Sequence, residues 1–123
     1  TPPTASRASA KAVFPATSDG TGAPGVNPEH LFAAGYAACF LGAMKFVTSQ
    51  KQSDVKITDE TTVSSEVGIG PRAEGGFGLE VALKISVPGA DKAAVEDLVE
   101  KADQVCPYSN ATRNNIDVKL SVA

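Results

Sequence analysis

The sequence has no tryptophan, one histidine, one methionine and two cysteines in 123 residues. Cys39, Cys106 and His30 are the only Cys/His residues, so a zinc site with four such ligands is excluded. A Ser–His–Asp triad would have to use His30. The chain also lacks an excess of positive charge: 11 Lys and Arg stand against 14 Asp and Glu, a net charge of −3. Broad attraction to nucleic-acid phosphates or to an anionic membrane is therefore not expected. The longest uncharged apolar run, residues 31–44, falls short of the about 20 residues that span a bilayer, so no membrane span is expected. Two cysteines are too few for a disulfide-dense secreted scaffold. The expectation is a reducing compartment, the cytoplasm. The alternative is mitochondrial: the first eighteen residues hold Arg7 and Lys11 and no acid, which suits either a targeting remnant or a polar edge strand.

What is present fits one folded domain over residues 1–123. Hydrophobic residues make up 42% and charged residues 20%, which argues against disorder. Residues 1–26 are poorly patterned, with a turn-rich stretch over 18–25. Asn27-Pro28-Glu29 then opens a helix. Asn27 suits the N-cap, Pro28 the first helical position, and Glu29 the positive end of the macrodipole. The helix runs to about Ser49 and is apolar on every side until Lys45, a pattern that predicts burial all round. Gly35 and Gly42 share a face, which predicts close approach of another backbone. A chain this short has little material to surround such a helix, so a homodimer sharing it is expected.

Val55 and Ile57 suggest a short strand. Val63, Ser65, Val67 and Ile69 alternate, as do Leu79, Val81, Leu83, Ile85 and Val87; a turn over residues 71–76 makes them a hairpin. A second helix, from about Asp91 to Val105, carries the stripe Val95, Leu98, Val99, Ala102, Val105 and Cys106. Pro107 halts it, residues 108–114 form a turn or short helix, and Ile116, Val118, Leu120 and Val122 alternate as a last strand. The expected class is α+β with an antiparallel or mixed sheet.

Both cysteines face the interior by pattern. Each fits a buried small hydrophobe, a structural disulfide or a redox pair. Thiolate, not thiol, attacks an electrophile. Cys106 ends a helix, where the dipole disfavours negative charge, and Cys39 is mid-helix, where the dipole gives no help. A buried Cys39 needs a nearby cation to ionise. Arg7, Arg72, Arg113, Lys45 and Lys11 are the candidates, with Glu29 as the carboxylate to hold an arginine. Glu29 is ten residues before Cys39, roughly 15 Å along one helix, so it must act through an arginine or from a partner chain. His30 fits a surface or interface residue better than a catalytic base. The glycine-rich residues 68–76 lack a phosphate-loop G-K-[ST] and fit a hairpin turn. Asn110-Ala111-Thr112 matches a glycosylation acceptor, which carries little weight without a secretory context.

Three segments carry a resemblance. Asn27-Pro28-Glu29-His30-Leu31-Phe32-Ala33-Ala34-Gly35-Tyr36-Ala37-Ala38-Cys39-Phe40 resembles the first signature of the organic hydroperoxide resistance (Ohr) proteins of the OsmC/Ohr superfamily. Val105-Cys106-Pro107-Tyr108-Ser109-Asn110-Ala111-Thr112-Arg113-Asn114-Asn115-Ile116 is similar to the second. Val67-Gly68-Ile69-Gly70-Pro71-Arg72 followed by Gly75-Gly76-Phe77-Gly78-Leu79 matches the hairpin between them. The match covers about residues 20–123 and leaves the first twenty poorly matched.

The resemblance implies an intertwined α+β homodimer with sheets around a buried central helix and active sites at the interface. It implies a thiol peroxidase that reduces alkyl and fatty-acid hydroperoxides to alcohols. Cys39 would be the peroxidatic residue and Cys106 the resolving one, meeting as an intramolecular disulfide. Dihydrolipoamide or a lipoylated protein would be the reductant, with no metal or other cofactor. Glu29 would orient an arginine that stabilises the thiolate. For that arginine, Ala5-Ser6-Arg7-Ala8-Ser9 faintly resembles the family's loop, though the interval to Glu29 is shorter by about one strand. The alternative function is a non-catalytic dimer of the same fold that holds an acyl ligand.

Overall fold

A computed structural model describes residues 8–15, as backbone, and residues 28–123. The elements run β1 (Ala8–Pro15), α1 (Pro28–Ser49), β2 (Thr62–Pro71), β3 (Phe77–Ser86), α2 (Lys92–Val105), α3 (Pro107–Thr112) and β4 (Val118–Val122). The four strands form one mixed sheet in the order β1-β2-β3-β4. The β1–β2 and β2–β3 pairs are antiparallel, and β4 joins β3 in parallel after the α2–α3 crossover. The α+β class and the order of elements are as expected, and β1 takes the edge-strand reading of the N-terminal segment. Asn27 and the loop before it lie outside the described residues.

Strand alternation makes the sheet two-sided. Val63, Ser65 and Val67 of β2 pair with Ile85, Leu83 and Val81 of β3, and all six are buried. Glu66, Ala82 and Lys84 point the other way and are exposed. The buried face meets α1 through residues such as Tyr36, Phe40, Met44 and Val47, and meets α2 through Val95, Leu98 and Ala102. At the hairpin turn, Gly75 and Gly76 adopt φ of 105° and 71°, a conformation that glycine enters without a Cβ clash. Asp91 caps α2, with Oδ2 accepting from the Ala94 amide at 3.1 Å.

Two expectations need correction, and a third concerns α1. Val55 and Ile57 form no strand: the stretch between α1 and β2 pairs with no ladder, and Val55 is buried as a lone core residue. Burial of α1 all round is expected of a homodimer, and the single chain covers one side of the helix. At 3.6 residues per turn, Leu31, Gly42, Lys45 and Phe46 fall on one side, and that side is exposed in the single chain. Leu31 is 62% and Phe46 52% exposed. The sheet and α2 lie across the opposite side, which accounts for the difference. Finally, a backbone does not approach Gly35. A Cβ there would meet the Tyr108 ring, with its hydroxyl oxygen at 2.9 Å, whereas a Cβ at Gly42 would meet nothing within 4 Å.

Over its 22 residues, one charged residue at each end of the apolar stretch included, α1 is long and apolar enough to cross a membrane by length and composition alone. Its packed side, eight buried residues against the sheet and α2, is that of a core helix.

Candidate active site

Cys39 and Cys106 meet. Both are free thiols, and their sulfurs stand 3.4 Å apart, with Cys106 donating to Cys39. A disulfide needs about 2.05 Å, so the pair has to close by about 1.4 Å. Cys39 is half-buried and Cys106 fully buried.

The local sequence explains how Cys106 gets there. Proline at 107 disfavours helical geometry in the residue before it. Cys106 accordingly turns extended, at φ −68° and ψ 121°, between two helices. It is both the C-cap of α2 and the N-cap of α3, rather than the mere end of a helix. Its N–H donates to the Ala102 carbonyl, and its own carbonyl accepts from the Asn110 amide at 3.0 Å. The backbone is thus tied on both sides while the side chain points at α1.

Cys39 sits at the boundary between the buried and exposed sides of α1. Phe32, Gly35 and Tyr36 share its helix face at spacings of seven, four and three. Phe32 stacks on Tyr108 at 5.9 Å, and Tyr36 meets both rings edge-on at 6.0 and 5.6 Å. The Tyr108 ring lies over Gly35, one turn before Cys39, and only a residue without a Cβ leaves it room. Below this aromatic group, the Tyr36 hydroxyl is within 2.8 Å of Ser109 Oγ and 3.2 Å of Thr112 Oγ1.

Burial pushes the Cys39 thiol from its ordinary 9.0 up to about 11. The adjoining Cys106 sulfur also raises it, because two thiols in contact resist carrying charge together. The backbone of Tyr108 works against this rise. A bond that favours thiolate must come from a donor, so it is the Tyr108 N–H that faces the sulfur. At a pKa of 11, about one Cys39 in 10⁴ is ionised at pH 7, too few for a fast nucleophile.

The expected cations are placed elsewhere or lie outside the described residues. Arg72 is on the exposed hairpin turn, 3.8 Å from Glu74. Arg113 binds Asp103, donating to its carbonyl at 2.8 Å and pairing with its carboxylate at 3.5 Å. Both are therefore corrected as partners of Cys39. Lys45 is on the exposed side of α1. Arg7 lies outside the described residues, and of Lys11 only the backbone is described. Glu29 is in the first turn of α1, as expected, and His30 beside it is half-buried. Among the described residues no cluster of His, Cys, Asp or Glu could hold a metal ion. Sequence reading passed over Tyr36, Tyr108, Ser109 and Thr112. Only Gly35 hinted at them, as a costly residue in a helix interior. Thr112, the last residue of the apparent glycosylation acceptor, proves to be a buried hydrogen-bonding partner.

A helix backed by a mixed sheet, holding one thiol against a second from a proline-broken turn, defines a two-cysteine α+β thiol protein. The comparisons carry this to a family. A sequence profile described as OsmC-like protein matches residues 19–121. The chain is 57% identical to an organic hydroperoxide resistance protein of Xanthomonas axonopodis pv. citri over 114 residues, 93% of this chain and 78% of that one. It is 42% identical to organic hydroperoxide resistance protein OhrB of Bacillus subtilis over 101 residues, 82% and 72% of the two chains. The crystal structure of an organic hydroperoxide resistance protein from Elizabethkingia anophelis superposes with a TM-score of 0.72 at 54% identity, covering 84% of this chain and 73% of that one. The chain belongs to the OsmC-like family and, within it, to the organic hydroperoxide resistance proteins.

Proposed function

We propose that the protein is a cysteine-based peroxidase that reduces alkyl and fatty-acid hydroperoxides to alcohols. The observation that carries this is the pair of free thiols 3.4 Å apart, one of them held by a backbone N–H. Cys39 thiolate attacks the outer peroxide oxygen, the O–O bond breaks, and the departing alkoxide takes a proton to become the alcohol. Cys39 is left as a sulfenic acid. Cys106 then attacks the Cys39 sulfur, the S–O bond breaks, and the hydroxyl leaves with the Cys106 proton as water. A dithiol of the dihydrolipoyl class, free or protein-bound, takes the disulfide back to two thiols by exchange and is itself oxidised.

The raised pKa of Cys39 has to be countered, and Arg7 held by Glu29 is the proposed means. An opposite charge within about 4–6 Å lowers a pKa by about 1–3 pH units. Phe32, Tyr36 and Tyr108 supply an apolar surround suited to an oily peroxide. The exposed side of α1, with Leu31, Gly42 and Phe46, is where a second copy of the chain would lie in a homodimer.

The test is a titration of the reduced protein with cumene hydroperoxide. One equivalent should remove both thiols and release one equivalent of cumyl alcohol. With dihydrolipoamide present the cycle should turn over, and Cys106→Ser should trap and then over-oxidise Cys39. Survival of both thiols would overturn the proposal.

A further inference from the structure

Tyr36 is fully buried, and its phenol is used for neither sulfur. Among the described residues its hydroxyl bonds Ser109 Oγ at 2.8 Å and Thr112 Oγ1 at 3.2 Å, partners more than seventy positions away on α3. Thr112 Oγ1 in turn donates to the Ser109 carbonyl at 3.3 Å. A helix of six residues does not hold itself, since nucleation is costly and few internal bonds form. What holds α3 on α1 is this hydroxyl cluster and the Tyr108 ring seated over Gly35. The same short segment carries Cys106 Sγ and the Tyr108 N–H, the two groups that face Cys39. The Cys106 carbonyl is bonded to the Asn110 amide, so α3 and Cys106 move together.

We infer that Tyr36 is a positioning residue for the second half of the proposed reaction: clasped by Ser109 and Thr112, it holds residues 106–112 against α1, so that Cys106 closes on oxidised Cys39 before a second hydroperoxide reaches it. Two steps compete at the sulfenic acid. In one, the Cys106 sulfur bonds to the Cys39 sulfur, the S–O bond breaks, and water leaves. In the other, a second hydroperoxide gives up an oxygen to the Cys39 sulfur, yielding a sulfinic acid and a second alcohol. The first requires Cys106, carried on the segment that α3 anchors, to stay within bonding reach of Cys39, whereas the second needs no such contact.

This inference rests on the cysteine-based reading, and the experiment separates the two. Reduced wild type, Tyr36→Phe, Ser109→Ala and, as a control, Val63→Ala in the sheet are treated with a graded excess of cumene hydroperoxide. Intact mass then gives the ratio of Cys39 sulfinic acid to disulfide. Tyr36→Phe keeps the ring and removes the hydroxyl. It should raise that ratio about tenfold, the scale of one buried hydrogen bond. Ser109→Ala should raise it by less, and Val63→Ala should melt earlier with the ratio unmoved. A wild-type ratio in both Tyr36→Phe and Ser109→Ala overturns the inference. So does an equal rise in Val63→Ala, which would make the effect one of general stability. Should Tyr36→Phe not fold, Ser109→Ala decides alone, by a rise or its absence. Wild type that loses no thiol at all would instead sink the parent reading.

Discussion

Helix α1 is apolar on every side yet buries only one, whereas α2 has a single apolar stripe and buries most of it. In α2, Val95, Leu98, Val99 and Ala102 enter the core while Glu96, Asp97 and Glu100 stay outside. Its sequence is accounted for by the fold of its own chain. In α1, Ala33, Tyr36, Ala37, Phe40, Met44 and Val47 do the same task. The remaining side, with Leu31, Gly42 and Phe46, goes beyond what one chain needs. Cys39 lies on the border between the two sides. Apolar residues that a fold does not consume point to a use outside it, and here they flank Cys39.

The comparison is tested most strongly at the sulfur. Cys39→Ser should cut hydroperoxide consumption by about 10³-fold or more, with an unchanged melting profile, as measured by alcohol release and by calorimetry. In α2, Leu98→Ala should do the reverse. It removes a fully buried side chain and should cost about 2–5 kcal/mol in a denaturant titration, with the peroxide rate per folded molecule preserved. Comparable damage to chemistry from both substitutions would break the division between the helices.

Third in size is Arg7→Ala. With the proposed cation gone, Cys39 should titrate near its raised value of about 11. Thiolate forms as pH rises, so the sulfenate-forming rate should drop about a hundredfold at pH 7 and then climb about tenfold per pH unit toward pH 10. A rate that follows the wild-type pH profile at the wild-type level would remove Arg7 from the site. The smallest effect belongs to Asp91→Ala, which deletes the α2 cap. About 1 kcal/mol of stability should go, with no change at Cys39.

The elements were legible where a local period names them. Strict alternation marked β2 and β3, three-and-four spacing marked α2, and Pro28 and Pro107 marked where helices start and stop. Val55 and Ile57 misled because two residues cannot show a period; one of them is simply buried beside the ladder. Which side of α1 its own chain covers was not legible, because composition says a helix is apolar without saying where the chain lies against it. The two cysteines were legible as a pair by their motifs. Tyr36 and its hydroxyl partners were not, because a bond between positions 36 and 109 leaves no trace in any window of neighbouring residues. The pull of Tyr108 on Cys39 is invisible for a further reason: it comes from the backbone, which every residue has.

The two sulfurs lie 67 positions apart, and between them run β2, β3 and α2. In the proposed disulfide, more than half of the molecule would become a covalent ring. Shortening the unfolded chain's freedom by a loop of that length favours the folded form by about 4 kcal/mol on entropy grounds. Each turnover would therefore pass the domain through a tougher state and back to a softer one. Heat resistance itself becomes a gauge of how far a sample has been oxidised.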